Sequence, residues 1–445
     1  MSLFNNYKES LSHVLGDQQT NFQKDLNFPY AILNLNERKY SGTTTLSIQE
    51  RSQSLLQFDS NQLIKYFGPN QNSFSNVSIG NHPDFQHLGE NQTLKHYCIS
   101  MFVDIKGSTR LALKYPLEKV RLIKDTLLTL CINVITHFGG HVHRLQGDAV
   151  FAQFVRFQKN PNDSVINALN TACVLCQTVS EELSSAFESY GLDPIKIRVG
   201  IDYGNNEEVL WSHYGIAKCS ELTTTSLHTD LAAKLQNNAS VNSIRIGNNL
   251  VKAISIKDEY LTIPTYIKNG ITIEDKYIIQ SSGFTYKQYD FNWKSYLNSF
   301  SFYKKGGNGK LEIVNNHYTL KASICDEYNG PETHPYFENN HSILKDKYIK
   351  FQLHFNNLPY HKKSFEKITW EANNSGEEAR IAEQVQHDFN GEFKDKTYCI
   401  AHTGFHGNHY LKCSIIREHS DNIILKFPLY VDDKHFKSEG QVLSF

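Results

Sequence analysis

The pattern of apolar residues changes at about residue 95 of this 445-residue chain. Residues 1–94 are rich in Asn, Gln and Ser and hold only isolated apolar patches such as "YAILNL". The following run "YCISMFVDI" is apolar and β-prone, which is typical of a buried strand. Next, "PLEKVRLIKDTLLTLCINVITHFGG" repeats apolar residues at spacings of three and four. This spacing predicts a long helix, with Pro116 near its start and Gly139 after its end.

The elements after this helix complete a recognisable order. "HVHRLQGDAVFAQFV" holds two β-like runs around Gln146-Gly147 and predicts a hairpin. A second amphipathic helix, two strands and a third helix are predicted in "NDSVINALNTACVLCQTVSEEL", "IKIRVGIDYG", "EVLWSHY" and "TSLHTDLAAKLQ". The order β-α-β-β-α-β predicts a ferredoxin-like α+β domain.

The C-terminal part of the chain has a different pattern. The segment "KKGGNGK" at 304–310 is interpreted as a flexible break, and it is not a phosphate-binding Walker loop because Leu311 stands where Ser or Thr is needed. Beyond it, alternating segments such as "YIKFQLHF" and "NIILKFPLYV" predict a β-rich domain. The predicted divisions are an N-terminal extension of unknown role (1–94), the α+β domain (95–255), a connecting region (256–335) and the C-terminal β-rich domain (336–445).

Composition narrows the possible partners. The net charge of -1 argues against nucleic acid, whose backbone requires a basic field, so an anionic substrate must be held by a local site. No run approaches the ~20 apolar residues of a membrane span, and the start "MSLFNNYKES" lacks a signal-peptide core. We therefore expect a cytoplasmic protein with no membrane partner.

The cysteines and histidines give weak signals for metal or redox chemistry. Only Cys173 and Cys176 form a close pair among the eight cysteines, and they lie in a helical pattern without a second such pair, which predicts buried thiols. His141 and His143 in "HVH" could bind a metal, but on a hairpin they are interpreted as structural.

Two acidic residues carry the stronger signal. Asp104 ends the first strand, and Asp148 lies in the predicted hairpin turn. In a ferredoxin-like sheet the first strand lies beside the hairpin, so the two carboxylates become neighbours. Such a pair repels unless cations bind between them, and divalent ions ~3.5–4 Å apart activate phosphoryl chemistry. The alternatives are an ordinary strand-loop-helix at Asp104 and a simple Gly-Asp turn at Asp148.

These segments together resemble a known enzyme family. "FVDIKGST" resembles the first metal motif of the class III nucleotidyl cyclases, "GGHVHRLQGDAVFAQF" resembles their second metal-bearing hairpin, and "IRVGIDYG" resembles their Arg-Val-Gly strand. The resemblance implies two divalent ions per site, Mg or Mn, bound by Asp104, Asp148 and the backbone carbonyl of Ile105. It also implies a head-to-tail homodimer with shared active sites. The ribose 3′-oxygen of a nucleoside triphosphate would attack the α-phosphate and release pyrophosphate.

Other residues are candidates for binding the nucleotide. The turn formed by Lys106, Gly107, Ser108 and Thr109 offers backbone N–H groups at a predicted helix N-terminus, where phosphate oxygens are favoured. Arg198 of "IRVG" could add a positive charge there or form a salt bridge inside the domain.

The positions that contact base and ribose depart from the adenylyl cyclase pattern. By resemblance, Arg144 stands where those enzymes usually have Lys, and Thr223 stands where they usually have Asp. Their catalytic Asn and Arg align with Asp230 and Lys234. With the C-terminal "ITWEANNSGEEARIAEQV", these departures resemble the pyrimidine cyclases of bacterial Pycsar antiphage systems, which carry a C-terminal sensor domain. The resemblance implies cyclic CMP or cyclic UMP made on infection, a phage-derived trigger at the C-terminal domain, and a separate effector.

The choice of base follows from hydrogen-bond chemistry. The guanidinium of Arg144 has only donors and matches O2 and N3 of cytosine, whereas uracil presents N3–H. Thr223 or Glu221 could accept from the cytosine N4 amine, and Phe102 could pack on a small ring. We therefore predict a cytidylate cyclase acting on CTP.

Several alternatives stay open. They are a uridylate cyclase acting on UTP, an adenylyl cyclase with unusual base contacts, and a catalytically inactive nucleotide sensor. A diguanylate cyclase is a further alternative, but it would need acidic residues where Ala149 and Val150 stand.

Overall fold

A computed structural model describes residues 3–13, 15, 58–70, 72–74, 77–279, 283–307, 309–314, 317–418, 420–433 and 442–444. The N-terminal patch "YAILNL" lies outside these residues. Buried apolar side chains form two clusters, one in the α+β domain with the segments packed on it and one in the C-terminal domain. Both predicted fold types, α+β and β-rich, are confirmed.

A seven-stranded sheet organises the α+β domain. In spatial order its strands are His141–Gln146, Ala149–Phe154, Cys98–Ile105, Ile197–Gly204, Ser243–Gly247, Gln288–Phe291 and Leu261–Thr262. As predicted, the first strand of the motif lies beside the hairpin, and it pairs antiparallel with both of its neighbours. The last two strands of the sheet come after residue 255.

Helices cover the sheet. Leu117–His137 and Pro161–Gln177 pack on each other and on the sheet, and a π-helical turn at Thr178–Leu183 and a short helix at Ser184–Ser189 continue the second of them. Leu227–Asn238 packs over the Cys98–Ile105 and Ile197–Gly204 strands. The predicted long helices are therefore confirmed. Short helices also occur at Ser108–Lys114 and Asn248–Ala253.

A long hairpin projects from the α+β domain, and we call it the arm. Its strands are Leu210–Ile216 and Cys219–Thr225, of which the apolar pattern predicted only the first. The arm belongs to a separate four-stranded sheet with Gln92–Lys95 and Val442–Ser444. Near the turn of the arm, Ile216 is 75% exposed, so an apolar side chain faces solvent in the single chain.

Segments outside residues 95–255 complete the first hydrophobic cluster. A helical stretch at 5–13 and the helix Asn61–Phe67 pack on it, and the Tyr7 hydroxyl donates to the Thr126 carbonyl at 2.5 Å. The segment interpreted as a flexible break is instead the turn of a hairpin formed by Tyr303–Lys305 and Leu311–Ile313. The interpretation was wrong because the glycines serve a tight turn, while the strands on either side bury apolar side chains.

Short strands and one helix link the two domains. They are Thr265–Lys268, Ile271–Glu274, Tyr277–Ile279, Phe284–Tyr286 and the helix Trp293–Leu297.

The C-terminal domain consists of two five-stranded sheets. Its longest strands are Tyr318–Cys325, Tyr348–Phe355, Glu366–Asn373, Gly407–Arg417 and Ile423–Asp432. Shorter strands are Glu332–Tyr336, Ser342–Leu344, Leu358–Pro359, Gln386–Asp388 and Tyr398–His402, with one helix at Glu377–Ile381. Trp370 is fully buried in this domain, and its indole N–H donates to the Lys396 carbonyl at 3.0 Å.

Hydrogen bonds join the C-terminal domain to the α+β domain. Asn160 and Asn162, at the start of the Pro161–Gln177 helix, donate to a carboxylate oxygen of Asp432 at 2.9 and 2.6 Å. Asp163 accepts from the backbone N–H and the hydroxyl of Ser342, both at 2.7 Å. The C-terminal domain therefore contacts a helix that itself packs under the central sheet.

Two further expectations concern side chains and membranes. Cys173 and Cys176 are fully buried, and burial raises the pKa of both thiols, as predicted for structural cysteines. His141 and His143 both hydrogen-bond to the Gly80 carbonyl, at 2.8 and 3.0 Å, a contact that is consistent with the structural interpretation. In the part of the chain that the structure describes, no helix combines the length and the apolar character that crossing a membrane requires.

Candidate active site

Asp104 and Asp148 form an acidic pair at one end of the central sheet. Asp104 is the penultimate residue of its strand, and Asp148 follows Gly147, whose φ of 67° closes the hairpin turn. Burial raises the pKa of Asp104, the hydrogen bond from Arg198 lowers it, and the neighbouring Asp148 carboxylate raises it again. The predicted pairing of the two carboxylates is thus present within one chain.

Each carboxylate also contacts a cationic side chain. Arg198 lies opposite Asp104 on the adjacent strand and donates to its Oδ2 at 2.7 Å. Lys124, on the long helix, places its Nζ 3.2 Å from Oδ1 of Asp148. Of the two roles considered for Arg198, the salt bridge within the domain is the one that this chain shows. The two cations offset part of the repulsion between the acidic residues.

The acidic pair fits a divalent cation. Asp148 is only 8% exposed, and its Oδ2 is buried and has no hydrogen-bond partner. A buried carboxylate oxygen without a donor is costly, and a bound cation would remove that cost. Hard divalent ions such as Mg²⁺ prefer such oxygen ligands. Asp104, Asp148 and the Ile105 carbonyl therefore remain the candidate ligands.

One backbone donor in the turn after Asp104 already makes a hydrogen bond within the fold. The Lys106 N–H donates to the Lys196 carbonyl at 2.7 Å, so this backbone donor is not available to a phosphate. Gly107 has a φ of 80°, and a Cβ added there would meet no atom within 4 Å. The helix that follows, Ser108–Lys114, has only 7 residues. Phosphate binding by Gly107, Ser108 and Thr109 stays a prediction.

Arg144 makes a specific contact in the single chain. Its Nε donates to Oε1 of Glu221 on the arm at 3.1 Å, and its Nη2 donates to Oε2 of the same carboxylate. This hydrogen bonding lowers the pKa of Glu221. Nε2 of His143 lies 3.3 Å from Oε1 of Glu221. Two candidate base-reading residues, Arg144 and Glu221, are therefore adjacent and pair with each other.

Phe102 lies on the strand that carries Asp104, and Thr223 lies on the arm. The ring of Phe102 stacks on Phe151 of the neighbouring strand, with centroids 4.4 Å apart and an interplanar angle of 1°. Phe102 is half-buried, so one part of its ring remains accessible. Thr223 is also half-buried and lies two residues after Glu221 on the same strand of the arm. Strand periodicity places Thr223 and Glu221 on the same face.

Asp230 and Lys234 are not brought to the acidic pair within one chain. Both are exposed and lie four residues apart on the Leu227–Asn238 helix, which buries Leu231 and Leu235 on an adjoining face. The Nζ of Lys234 donates to the Tyr277 hydroxyl at 2.5 Å and lies 4.6 Å from the centre of that ring. Among the described residues, no hydrogen bond or ion pair joins either side chain to Asp104 or Asp148.

Two residues at the site were not found from the sequence. Lys124 contacts Asp148, and Gln236 donates to Oδ2 of Asp104 at 3.3 Å. Both lie on amphipathic helices, where Lys and Gln are ordinary surface residues. No spacing in the sequence distinguishes them, because only the packing of helix on sheet brings them to the carboxylates.

The chain is similar over most of its length to known proteins. The family described as "Adenylyl/Guanylyl and SMODS C-terminal sensor domain" matches residues 291–427. A cytidylate cyclase of Staphylococcus aureus is 36% identical over 378 residues, which are 84% of this chain and 88% of that protein. A cytidylate cyclase of Escherichia coli is 37% identical over 288 residues, 62% of this chain and 60% of that protein.

Among solved structures, the adenylyl cyclase CyaB from P. aeruginosa is matched over 45% of this chain and 95% of that chain, at 17% identity and a TM-score of 0.38. The Staphylococcus aureus protein is similar over most of both chains. The chain therefore belongs to the cytidylate cyclase family, with a C-terminal sensor domain.

Proposed function

We propose that this protein converts CTP to 3′,5′-cyclic CMP and pyrophosphate. The ribose 3′-oxygen forms a bond to the α-phosphorus, the bond from that phosphorus to the bridging oxygen of the β-phosphate breaks so that pyrophosphate leaves, and the proton of the 3′-hydroxyl passes to solvent. The observation that carries the proposal is the pair of carboxylates at the end of the sheet, with Oδ2 of Asp148 buried and unpartnered. The similarity to cytidylate cyclases supports the choice of CTP.

Asp104, Asp148 and the Ile105 carbonyl would hold the divalent ions, Mg²⁺ or Mn²⁺. Bound there, such ions favour the ionised 3′-oxygen and offset charge on the phosphates. Arg198 already lies 2.7 Å from Asp104, and its Nε is buried without a hydrogen-bond partner, so it has a donor left for a phosphate oxygen. We assign Arg198 the role of a positioning residue that orients Asp104 and neutralises nearby phosphate charge.

Replacement of either carboxylate tests this assignment. Asp104→Ala or Asp148→Ala should abolish cyclisation while the fold is retained, because neither residue belongs to the two hydrophobic clusters and the loss of repulsion between the carboxylates offsets part of the loss of their pairing with Arg198 and Lys124. Asp258→Ala, which removes an exposed carboxylate elsewhere, is the matched control. Product formation from each of the four triphosphates with Mn²⁺, identified by mass, is the measurement. Retention of more than a few per cent of activity by either variant would refute the two-ion site.

The Arg144–Glu221 pair supports a pyrimidine reader. The two side chains pair with each other in the single chain, and separated by a bound base they would offer guanidinium donors and carboxylate acceptors side by side. Cytosine presents the complementary set, acceptors at O2 and N3 and a donor at N4. We propose that Arg144 serves O2 and N3, and that Glu221 or Thr223 accepts from N4. With the base held in this way, Phe102 would pack against a single pyrimidine ring.

The rate ratio for CTP over UTP tests base reading. Arg144→Ala should lower this ratio, and Glu221→Gln should lower it as well, because an amide can donate to the uracil O4. Arg110→Ala, at an exposed arginine outside the pair, is the control. An unchanged ratio in Arg144→Ala would mean that Arg144 only binds Glu221. A preference for UTP in the wild type would favour the uridylate cyclase.

We further propose that the enzyme acts as a homodimer with shared active sites. The exposed positions of Asp230 and Lys234, away from the acidic pair of their own chain, support this arrangement. Mixing inactive Asp104→Ala protein with inactive Lys234→Ala protein should restore part of the activity, because one of the two sites in each heterodimer is intact. No recovery, with heterodimers demonstrated by differential tagging, would contradict shared sites.

The C-terminal domain supports a signalling role. It matches a family described as a sensor, and we propose that it responds to a phage-derived trigger so that cyclic CMP activates a separate effector. Expression with and without phage infection, with cyclic CMP measured in cell extracts, tests the role. Cyclic CMP levels that do not change on infection would argue against it, while leaving the cyclase activity itself in place.

A further inference from the structure

A cavity of about 560 Å³ lies between the N-terminal part of the chain and the C-terminal domain. Three separate segments build it: the Asn61–Phe67 helix, the hairpin segment at 301–314, and strands of the C-terminal domain. Its volume is within the ~300–1,000 Å³ of cavities that hold small ligands. The nucleotide site proposed above involves none of its lining residues.

Two lysines give this cavity a positive character. Lys65, on the N-terminal helix, and Lys321, on a strand of the C-terminal domain, both line it. Neither is within salt-bridge distance of a carboxylate of the described residues, and Lys65 instead lies 4.9 Å from the centre of the Tyr66 ring. Two exposed lysines that line one cavity, without acidic partners among the described residues, favour an anionic ligand.

Glu338, the carboxylic acid in the lining, does not cancel that charge. It is 5% exposed, and its carboxyl group accepts from the backbone N–H of Ser301 at 2.7 Å and from the Ser301 hydroxyl. Burial raises the pKa of Glu338 to about 8, so at pH 7 the group is mostly neutral. The lysines therefore determine the charge of the cavity at neutral pH.

Polar and aromatic groups in the lining narrow the class of ligand. Tyr66 and Thr319 each have a buried hydroxyl without a hydrogen-bond partner, a feature that is uncommon unless something else occupies the site. Phe302, Phe337 and Phe427 add aromatic surface to the wall. Aromatic side chains with nearby lysines bind a flat ring attached to an anionic group.

We propose that this cavity binds a small anion that carries a flat aromatic ring, the chemistry of a nucleoside monophosphate. Lys65 and Lys321 contact the phosphate, the aromatic side chains contact the ring, and the hydroxyls of Tyr66 and Thr319 gain hydrogen-bond partners. The cavity lies where the first hydrophobic cluster meets the sensor domain. Next to its lining residues Lys65 and Tyr66, Phe67 belongs to that cluster, and the Phe67 carbonyl accepts from the Asn340 side chain of the sensor domain.

Calorimetric titration of the full chain with CMP, AMP and inorganic phosphate tests the proposal. We expect one of the two nucleotides to bind more tightly than phosphate, and Lys321→Ala, Lys65→Ala and Thr319→Val each to weaken that binding at least fivefold. Lys367→Ala, an exposed lysine of the same domain that is not in the cavity lining, should bind as the wild type does. Thermal melting checks that each variant is folded.

A second variant separates this cavity from the catalytic site. Asp148→Ala should lose cyclase activity yet keep the binding measured by calorimetry, so failure of one proposal is distinguishable from failure of the other. The cavity proposal is overturned if binding is lost in Asp148→Ala and retained in the cavity variants. It is also overturned if neither nucleotide binds, or if phosphate alone binds as tightly as CMP and AMP do.

Discussion

Gly200, in the "IRVG" strand, is predicted to be a position where a single methyl group disrupts the active domain. A Cβ built on Gly200 would lie 2.1 Å from the backbone nitrogen of Gln236 and 2.3 Å from the carbonyl oxygen of Ala232. Both atoms belong to the backbone of the Leu227–Asn238 helix, so no side chain can rotate away. Carbon contacts are favourable only at ~3.5–4.0 Å, and the helix would have to move by more than 1 Å.

The cost can be bounded from this geometry. The φ of Gly200 is one that alanine can adopt, so the penalty is steric and not conformational. Overpacking a core costs about 1–3 kcal/mol, and a clash with helix backbone belongs at the upper end of that range. For a domain of this size each kcal/mol lowers Tm by roughly 2–4 °C, so Gly200→Ala should lower Tm by roughly 6–12 °C.

The displacement should also reach Asp104, the carboxylate proposed to bind the divalent ions. The same helix supplies Gln236, which lies 3.3 Å from Asp104, and the Asn237 carbonyl, which accepts from Arg198 at 2.7 Å. Differential scanning calorimetry and CTP turnover measure the two effects. Gly391→Ala is the matched control, since a Cβ there meets no atom within 4 Å. A Gly200→Ala protein that melts and turns over like Gly391→Ala would refute the packing argument.

Three further outcomes are expected. Chelation of divalent ions with EDTA should abolish cyclisation, and Mg²⁺ or Mn²⁺ should restore it in a turnover assay. The reason is that the two carboxylates are negatively charged, so without a cation they repel the triphosphate. Activity that persists in EDTA would contradict a metal-dependent site. Burial raises the folded pKa of Glu338 to about 8 from the ordinary 4.5, so the folded protein is most stable, as far as this group is concerned, below pH 4.5 and loses that stability as pH rises towards 8. Tm should therefore fall more between pH 5 and pH 8 in the wild type than in Glu338→Gln. Equal falls in the two proteins would contradict the raised pKa of Glu338. Trp370→Ala should cost about 3–5 kcal/mol in urea unfolding of the C-terminal domain, since the side chain is fully buried, and a loss below about 1 kcal/mol would be inconsistent with that packing.

The sequence alone determined the order of the main helices and strands around the acidic pair, although it missed the second strand of the arm. Periodicity distinguishes the Cys98–Ile105 strand from the Leu117–His137 helix, because each buries one face with its own spacing. The β-α-β-β-α-β order then places Asp104 beside the hairpin that carries Asp148. Apolar spacing and the order of elements depend on residues close together in the chain, so a single sequence is enough to predict them. The turn at 304–310 was misread because glycines in a tight hairpin and in a flexible linker look alike along the chain.

Only the tertiary structure decided which side chains meet the acidic pair and which do not. Lys124 and Gln236 reach the carboxylates because two helices pack against the sheet at particular positions, and their spacing in the sequence carries no trace of that. Arg144 pairs with Glu221, which lies 77 residues later in the chain, because the arm folds back beside the hairpin that carries Asp148. Such contacts depend on how elements are oriented in space, and hydrophobic periodicity fixes only which face of each element is buried.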